Sequence, residues 1–203
     1  MNKAMIYIHG MGGSAAEAAR YERLLAGYDV IGFDYTAGTP WEAKAEFPAF
    51  FDGVAAEHES VSVIANSIGA YYTMCALGGK NIRAAYFISP IVDMEKLIFD
   101  MMARAEITDA GLKERGKIIT PSGDVLSWDY LCYVRENPIA WSAPTHIIYG
   151  SGDALTPFET VNAFAQAHHA SLTVLEGGEY WFHTDDDMRF LDMWLMNLIR
   201  RNG

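Results

Sequence analysis

Cysteine is scarce in this 203-residue chain: there are only two, Cys75 and Cys132, both in apolar surroundings. They form no Cys-x-x-Cys pair and no metal-ligand spacing, which excludes a dithiol redox centre and a cysteine-rich zinc site. Buried free thiols in a reducing compartment are the expectation. Positive charge is scarce too, with 15 Lys and Arg against 26 Asp and Glu and a net charge of −11. Nucleic acid and anionic membrane surfaces both need clustered Lys and Arg, so neither is an expected partner. Long apolar runs are missing. No stretch approaches the roughly 18 apolar residues of a membrane span, and the short run before His9-Gly10 cannot form a signal-peptide core. A soluble cytoplasmic protein is therefore expected. No His, Cys, Asp or Glu cluster has metal spacing, so no metal is implied. Gly10-Met11-Gly12-Gly13 carries neither the phosphate-loop nor the dinucleotide glycine pattern.

What is present is an apolar fraction of 51%, ordinary for a globular enzyme, and a length suited to one domain over residues 1–203. Buried-strand runs recur at Ala4–Ile8, Tyr28–Asp34, Ser60–Asn66, Ile82–Ile88, Pro144–Gly150 and Ser171–Glu176. Between them the spacing predicts helices. One follows a Ser14/Glu17 capping box and runs to about Ala26. A second covers Trp41 to about His58, with Pro48 expected to kink or interrupt it. One follows Ser67, one starts after a Thr156 cap with Pro157 as its first residue and Glu159 at its third, and one follows Thr184. The last carries Met188, Leu191, Trp194, Leu195 and Leu198 at helical spacing. Six strands alternating with helices imply an α/β fold, a parallel sheet covered on both faces. Residues 92–141 break the rhythm with helical patterning and no clear strand, and are read as an inserted lid.

The chemistry centres on Ala65-Asn66-Ser67-Ile68-Gly69. A serine on a sharp strand-to-helix turn needs small residues two positions away on either side, because strand and helix pass close there. Ala65 and Gly69 meet that need, although alanine stands where glycine is usual. A serine hydroxyl also needs a base, and the base an orienting carboxylate. Asp153, in Gly150-Ser151-Gly152-Asp153, and His183, in Gly177-Gly178-Glu179-Tyr180-Trp181-Phe182-His183, each follow a strand, in the chain order serine, acid, histidine. Ligand sites of open α/β sheets lie at that carboxyl edge.

Together with Ile8-His9-Gly10-Met11-Gly12-Gly13 after the first strand, these segments resemble the α/β-hydrolases over nearly the whole chain outside 92–141. The resemblance implies a three-layer fold with strand order 2-1-3-4-5-6 and a short helical lid. It also implies a Ser67–His183–Asp153 triad and an oxyanion hole made by the backbone N–H groups of Met11 and Ile68. The implied activity is cleavage of a small carboxylic ester through an acyl-enzyme, without a cofactor. Asp93, after another strand, is the alternative acid, and His9 is read as bracing the oxyanion loop. Tyr35, Trp128, Tyr133 and Trp181 are candidates for lining the substrate pocket. Thioester, amide, lactone and carbon–carbon cleavage use the same triad and stay open. So does a non-catalytic hydrolase-fold protein that binds a small ligand. Oligomeric state is not legible.

Overall fold

The apolar runs pair side by side, all parallel, in a computed structural model that describes residues 2–202. The strands are β1 (Lys3–Ile8), β2 (Tyr28–Phe33), β3 (Ser60–Asn66), β4 (Ala85–Ile88), β7 (Thr145–Gly150) and β8 (Ser171–Leu175). They form a six-stranded sheet in the order β2-β1-β3-β4-β7-β8. Counting the strands of this sheet alone, that is the expected order. Its register is set by pairs such as Lys3 with Tyr28, Lys3 with Ser60, and His146 with Ser171. β4 is buried at every position and β3 at all but its ends, as parallel strands covered on both faces must be.

Alternation along β1 sends Met5 and Tyr7 to one face and Ile6 and Ile8 to the other. On the first face Met5, Tyr7, Ile64, Tyr86 and Ile148 form a core with Tyr21 of α1 (Ala18–Glu22) and Leu191, Trp194 and Leu195 of α8 (Asp185–Asn202). On the second, α3 (Ile68–Leu77) packs against Ile8 and against α2 (Pro40–Glu57). The Phe47 and Tyr72 rings meet edge to face there at 6.4 Å.

The structure departs from expectation at several ends. Pro48 does not interrupt α2, because the buried Phe47 and Phe51 anchor the helix on both sides of the lost hydrogen bond. The first helix is only a 3₁₀ turn over Ala15–Glu17 and the short α1. α7 (Phe158–Ala167) begins after Pro157 rather than after Thr156, whose carbonyl accepts from the Tyr149 hydroxyl at 2.8 Å.

The chain divides into two compact units, and the second is Asp93–Ile139. It holds α4 (Met94–Arg104), α5 (Asp109–Arg115) and α6 (Trp128–Glu136). It also holds an antiparallel hairpin of β5 (Lys117–Ile119) and β6 (Val125–Ser127), where no strand was expected. The hairpin's loop is closed by Thr120 N–H on the Asp124 carbonyl at 2.8 Å, with Gly123 at φ 92°. Strands of three residues are too short for alternation to be legible.

Candidate active site

Ser67 ends β3 and opens α3 with φ 54° and ψ −121°, outside the regions that side-chain-bearing residues ordinarily occupy. Such a conformation costs on the order of 1–3 kcal/mol and persists only when its surroundings over-determine it. They do so here: Ser67 N–H donates to the Ile88 carbonyl at 3.0 Å, and the Ser67 carbonyl accepts from Ala70 N–H at 3.1 Å. The small flanking residues are required for space. Ala65 is fully buried, and a Cβ added at Gly69 would stand 2.3 Å from the His9 carbonyl oxygen.

That contact brings the glycine loop after β1 beside Ser67. A Cβ at Gly10 would lie 3.2 Å from Ser67 Cβ. The loop is held from behind. The Tyr35 hydroxyl donates to the His9 carbonyl at 2.8 Å, and the Tyr35 and His9 rings stack with centroids 4.2 Å apart. His9 Nδ1 bonds its neighbour's carbonyl, at Gly10, at 2.8 Å. The Tyr7 hydroxyl donates to Glu17, whose other oxygen accepts from Ser14 N–H at 3.1 Å. Tyr35 is thus a buried brace and not the pocket residue expected from sequence. The N–H groups of Met11 and Ile68 have no acceptor among the described residues. Beside Ser67 lies a cavity of about 510 Å³ whose lining includes Gly10, Met11, Glu17, Ser67, Tyr180 and Trp181.

The loops after β7 and β8 are clamped together. Ser151 N–H donates to the Leu175 carbonyl at 2.9 Å, Gly152 N–H to Gly178 at 2.7 Å, and Gly177 N–H to Ser151 Oγ at 2.8 Å. No side chain fits at Gly150, where a Cβ would stand 2.4 Å from the Gly178 carbonyl oxygen. Asp153 sits in this clamp. Its Oδ1 accepts from the N–H groups of Leu155 at 2.7 Å and Thr156 at 2.9 Å. Its Oδ2 is buried and takes no hydrogen bond among the described residues. Burial pushes the carboxyl up from its ordinary range, and the two backbone donors offset part of that.

The same clamp decides which side chain meets Ser67, and it is not His183. The Tyr180 hydroxyl is hydrogen-bonded to Ser67 Oγ. Beyond it the segment alternates. Trp181 is 72% exposed, Phe182 is buried in the core with Met5 and Trp194, and His183 is exposed. His183 Nδ1 bonds the Trp181 carbonyl at 2.8 Å, and the two rings stack at 5.1 Å on the outward side. His183 lines a separate groove of about 880 Å³ along the start of α8, with Glu176, Asp186 and Arg189 among its neighbours. The expected histidine base is therefore displaced. Immediately after it, Thr184 caps α8 reciprocally: Asp187 N–H donates to Thr184 Oγ1 at 3.1 Å, and Thr184 N–H to Asp187 Oδ2 at 3.2 Å.

Tyr180 is the residue that sequence reasoning missed. Tyr180-Trp181-Phe182-His183 is a run of four ring side chains, so its sequence does not mark which one turns to Ser67; the alternation shows only in burial, with Phe182 inside and Trp181 and His183 outside. Burial pushes the Tyr180 phenol up to about 12; the bond to Ser67 works against this shift, and the nearby Asp153 carboxylate adds to it.

Of the remaining candidates, Asp93 caps α4, accepting from Lys96 N–H at 2.9 Å. Trp128 and Tyr133 lie on α6 of the second unit, where Lys113 and Arg135 stand 5.8 and 5.9 Å from the Trp128 ring centre.

No protein-family model matches the chain, and no curated protein does. Solved structures do. Est1E from Butyrivibrio proteoclasticus superposes with a TM-score of 0.77 at 17% identity, over 99% of this chain and 88% of that one. Mouse alpha/beta hydrolase domain-containing protein 10 gives 0.75 at 18%, over 98% and 90%. The esterase domain of a Rhodothermus marinus protein gives 0.68 at 18%, over 100% and 88%. The chain has the α/β-hydrolase fold.

Proposed function

We propose that this chain is a serine hydrolase acting on a small carboxylic ester, with Ser67 as the nucleophile. The observation that carries the reading is the strained turn at Ser67, held by Ile88 and by the close packing of Gly69 on His9, with its hydroxyl on a cavity. Strain of this kind is kept where it serves a site. In the reaction Ser67 Oγ bonds to the ester carbonyl carbon and loses its proton to solvent in the open cavity. The oxyanion is received by the N–H groups of Met11 and Ile68, each worth about 3 kcal/mol of the barrier. Collapse expels the alkoxide, which takes up a proton. Water then adds to the acyl carbon and releases the acid and free Ser67. The cavity of about 510 Å³ suits a small molecule, and an esterase domain is among the solved structures that share the fold. No cofactor enters these steps.

The test is turnover of p-nitrophenyl esters of increasing acyl length. Hydrolysis above the buffer rate that vanishes in Ser67→Ala and falls off beyond a defined chain length supports the reading. Equal rates for wild type and Ser67→Ala sink it.

A second reading, a hydrolase-fold protein that binds a small ligand without turning it over, draws on one observation: Ser67 Oγ is engaged by a tyrosine and not by an imidazole. Saturable ligand binding in the cavity, with no covalent adduct on Ser67, would favour it.

A further inference from the structure

We propose that Tyr180 stands in the place of the triad imidazole, between Ser67 and Asp153, and keeps Ser67 a slow nucleophile. This rests on Ser67 being the nucleophile and names the residue that governs it. Three observations carry it.

The first is the hydrogen bond between the Tyr180 hydroxyl and Ser67 Oγ. A triad base must hold this contact, and a phenol cannot use it as a base. With the hydroxyl pushed up to about 12, its phenolate is scarce at neutral pH. It occupies the lone pair or the proton of Ser67 without drawing that proton away.

The second is the unpaired Asp153 Oδ2, buried without a hydrogen-bond partner. A buried oxygen without a partner is costly, and it lies in the loop clamped to the Gly177-Gly178 turn that leads into Tyr180. An imidazole has two ring nitrogens on opposite edges, so one can accept from serine while the other donates to a carboxylate. A phenol has one hydroxyl at one end. The side chain at 180 therefore satisfies Ser67 and leaves Asp153 Oδ2 without a donor.

The third is that the register cannot slip to bring His183 in. Gly178 is fixed to Gly152, Phe182 is buried in the core, and Thr184 is committed to capping α8. Turning His183 inward pulls Phe182 into water.

The chain as it stands then works with its oxyanion donors and strained elbow, but without an imidazole base. In serine proteases, a triad lacking one member still accelerates hydrolysis roughly 10³–10⁴-fold over water. A positioned general base adds about 10²–10⁴-fold.

The experiment measures the rate of Ser67 phosphonylation by a fluorophosphonate, and of p-nitrophenyl acetate hydrolysis, across a pH series. Tyr180→His is expected to raise both by ~100-fold or more and to introduce an inflection near the imidazole pKa of about 6.5 that the wild type lacks. Adding Asp153→Asn to Tyr180→His should remove most of the gain, which a merely structural effect at position 180 would not do. Tyr180→Phe keeps the ring and the packing. Its labelling should exceed that of wild type, because the hydroxyl restrains Ser67, and an unchanged rate counts against the restraint. Loss of wild-type turnover in His183→Ala overturns the proposal, since His183 would then be the base. So does a drop of ~10-fold or more in Tyr180→Phe, for the phenol would then take part in proton transfer. If Tyr180→His fails to fold, the Phe variant decides. Absence of an adduct on Ser67 in every folded variant defeats the nucleophile reading itself and is distinct from those results.

Discussion

At the scale of single residues, the site is fixed by what cannot be changed. Gly69 has the His9 carbonyl oxygen 2.3 Å from where its Cβ would be, so Gly69→Ala must push α3 away from β1. We expect a loss of roughly 1–3 kcal/mol, as for other overpacked sites, read as a lower urea midpoint at unchanged m-value. Asp153 makes the opposite case. Its folded pKa is raised by burial above the unfolded value, so the folded state binds the proton more tightly. The stability this provides is full below the unfolded pKa and is lost as pH rises through the folded pKa. At pH 8 the ionised carboxylate is a cost, and Asp153→Asn should melt at or above the wild-type temperature. The difference should close as the buffer is taken down into the acid range. A thermal scan showing Asp153→Asn less stable at pH 8 and more stable at pH 4 would reverse the sign. The placement of Ser67, Gly69 and Asp153 just after strands was legible, because each follows a readable buried-strand run. Tyr180 was not, because histidine outranks tyrosine as a base when only chemistry is read. The choice between them depends on the burial of Phe182, a fact of packing.

At the scale of elements, the strands were the easiest to read and the connections the hardest. Parallel strands buried on both faces give continuous apolar runs, and β1 and β4 declare themselves that way. The β5–β6 hairpin has three residues a side and no such run. Pro48 was read by its local rule, and the tertiary contacts of Phe47 and Phe51 prevailed. The segment from β8 to α8 depends on the same balance. Phe182 is 7% exposed and Trp181 72%, although both are large aromatics beside the site. Phe182→Ala should cost about 3–5 kcal/mol and free Tyr180 from its register, whereas Trp181→Ala should stay within about 0.5 kcal/mol. Urea melts of the two variants check the pair, and equal losses would mean that the alternation does not hold the loop.

At the scale of the whole molecule, the sheet carries the glycine loop, the elbow and the two clamped loops to one edge, where the carboxyl ends of β1, β3, β7 and β8 meet. That convergence is a property of topology, and it places Ser67 at the edge where ligand sites of open α/β sheets lie. The most direct measurement is intact mass, followed by peptide mapping, of folded wild-type protein after prolonged exposure to a fluorophosphonate. One phosphonyl group on Ser67 is the expected result, formed slowly and absent in Ser67→Ala or after unfolding in urea. Unmodified protein, or an adduct spread over other residues, would contradict Ser67 as the nucleophile.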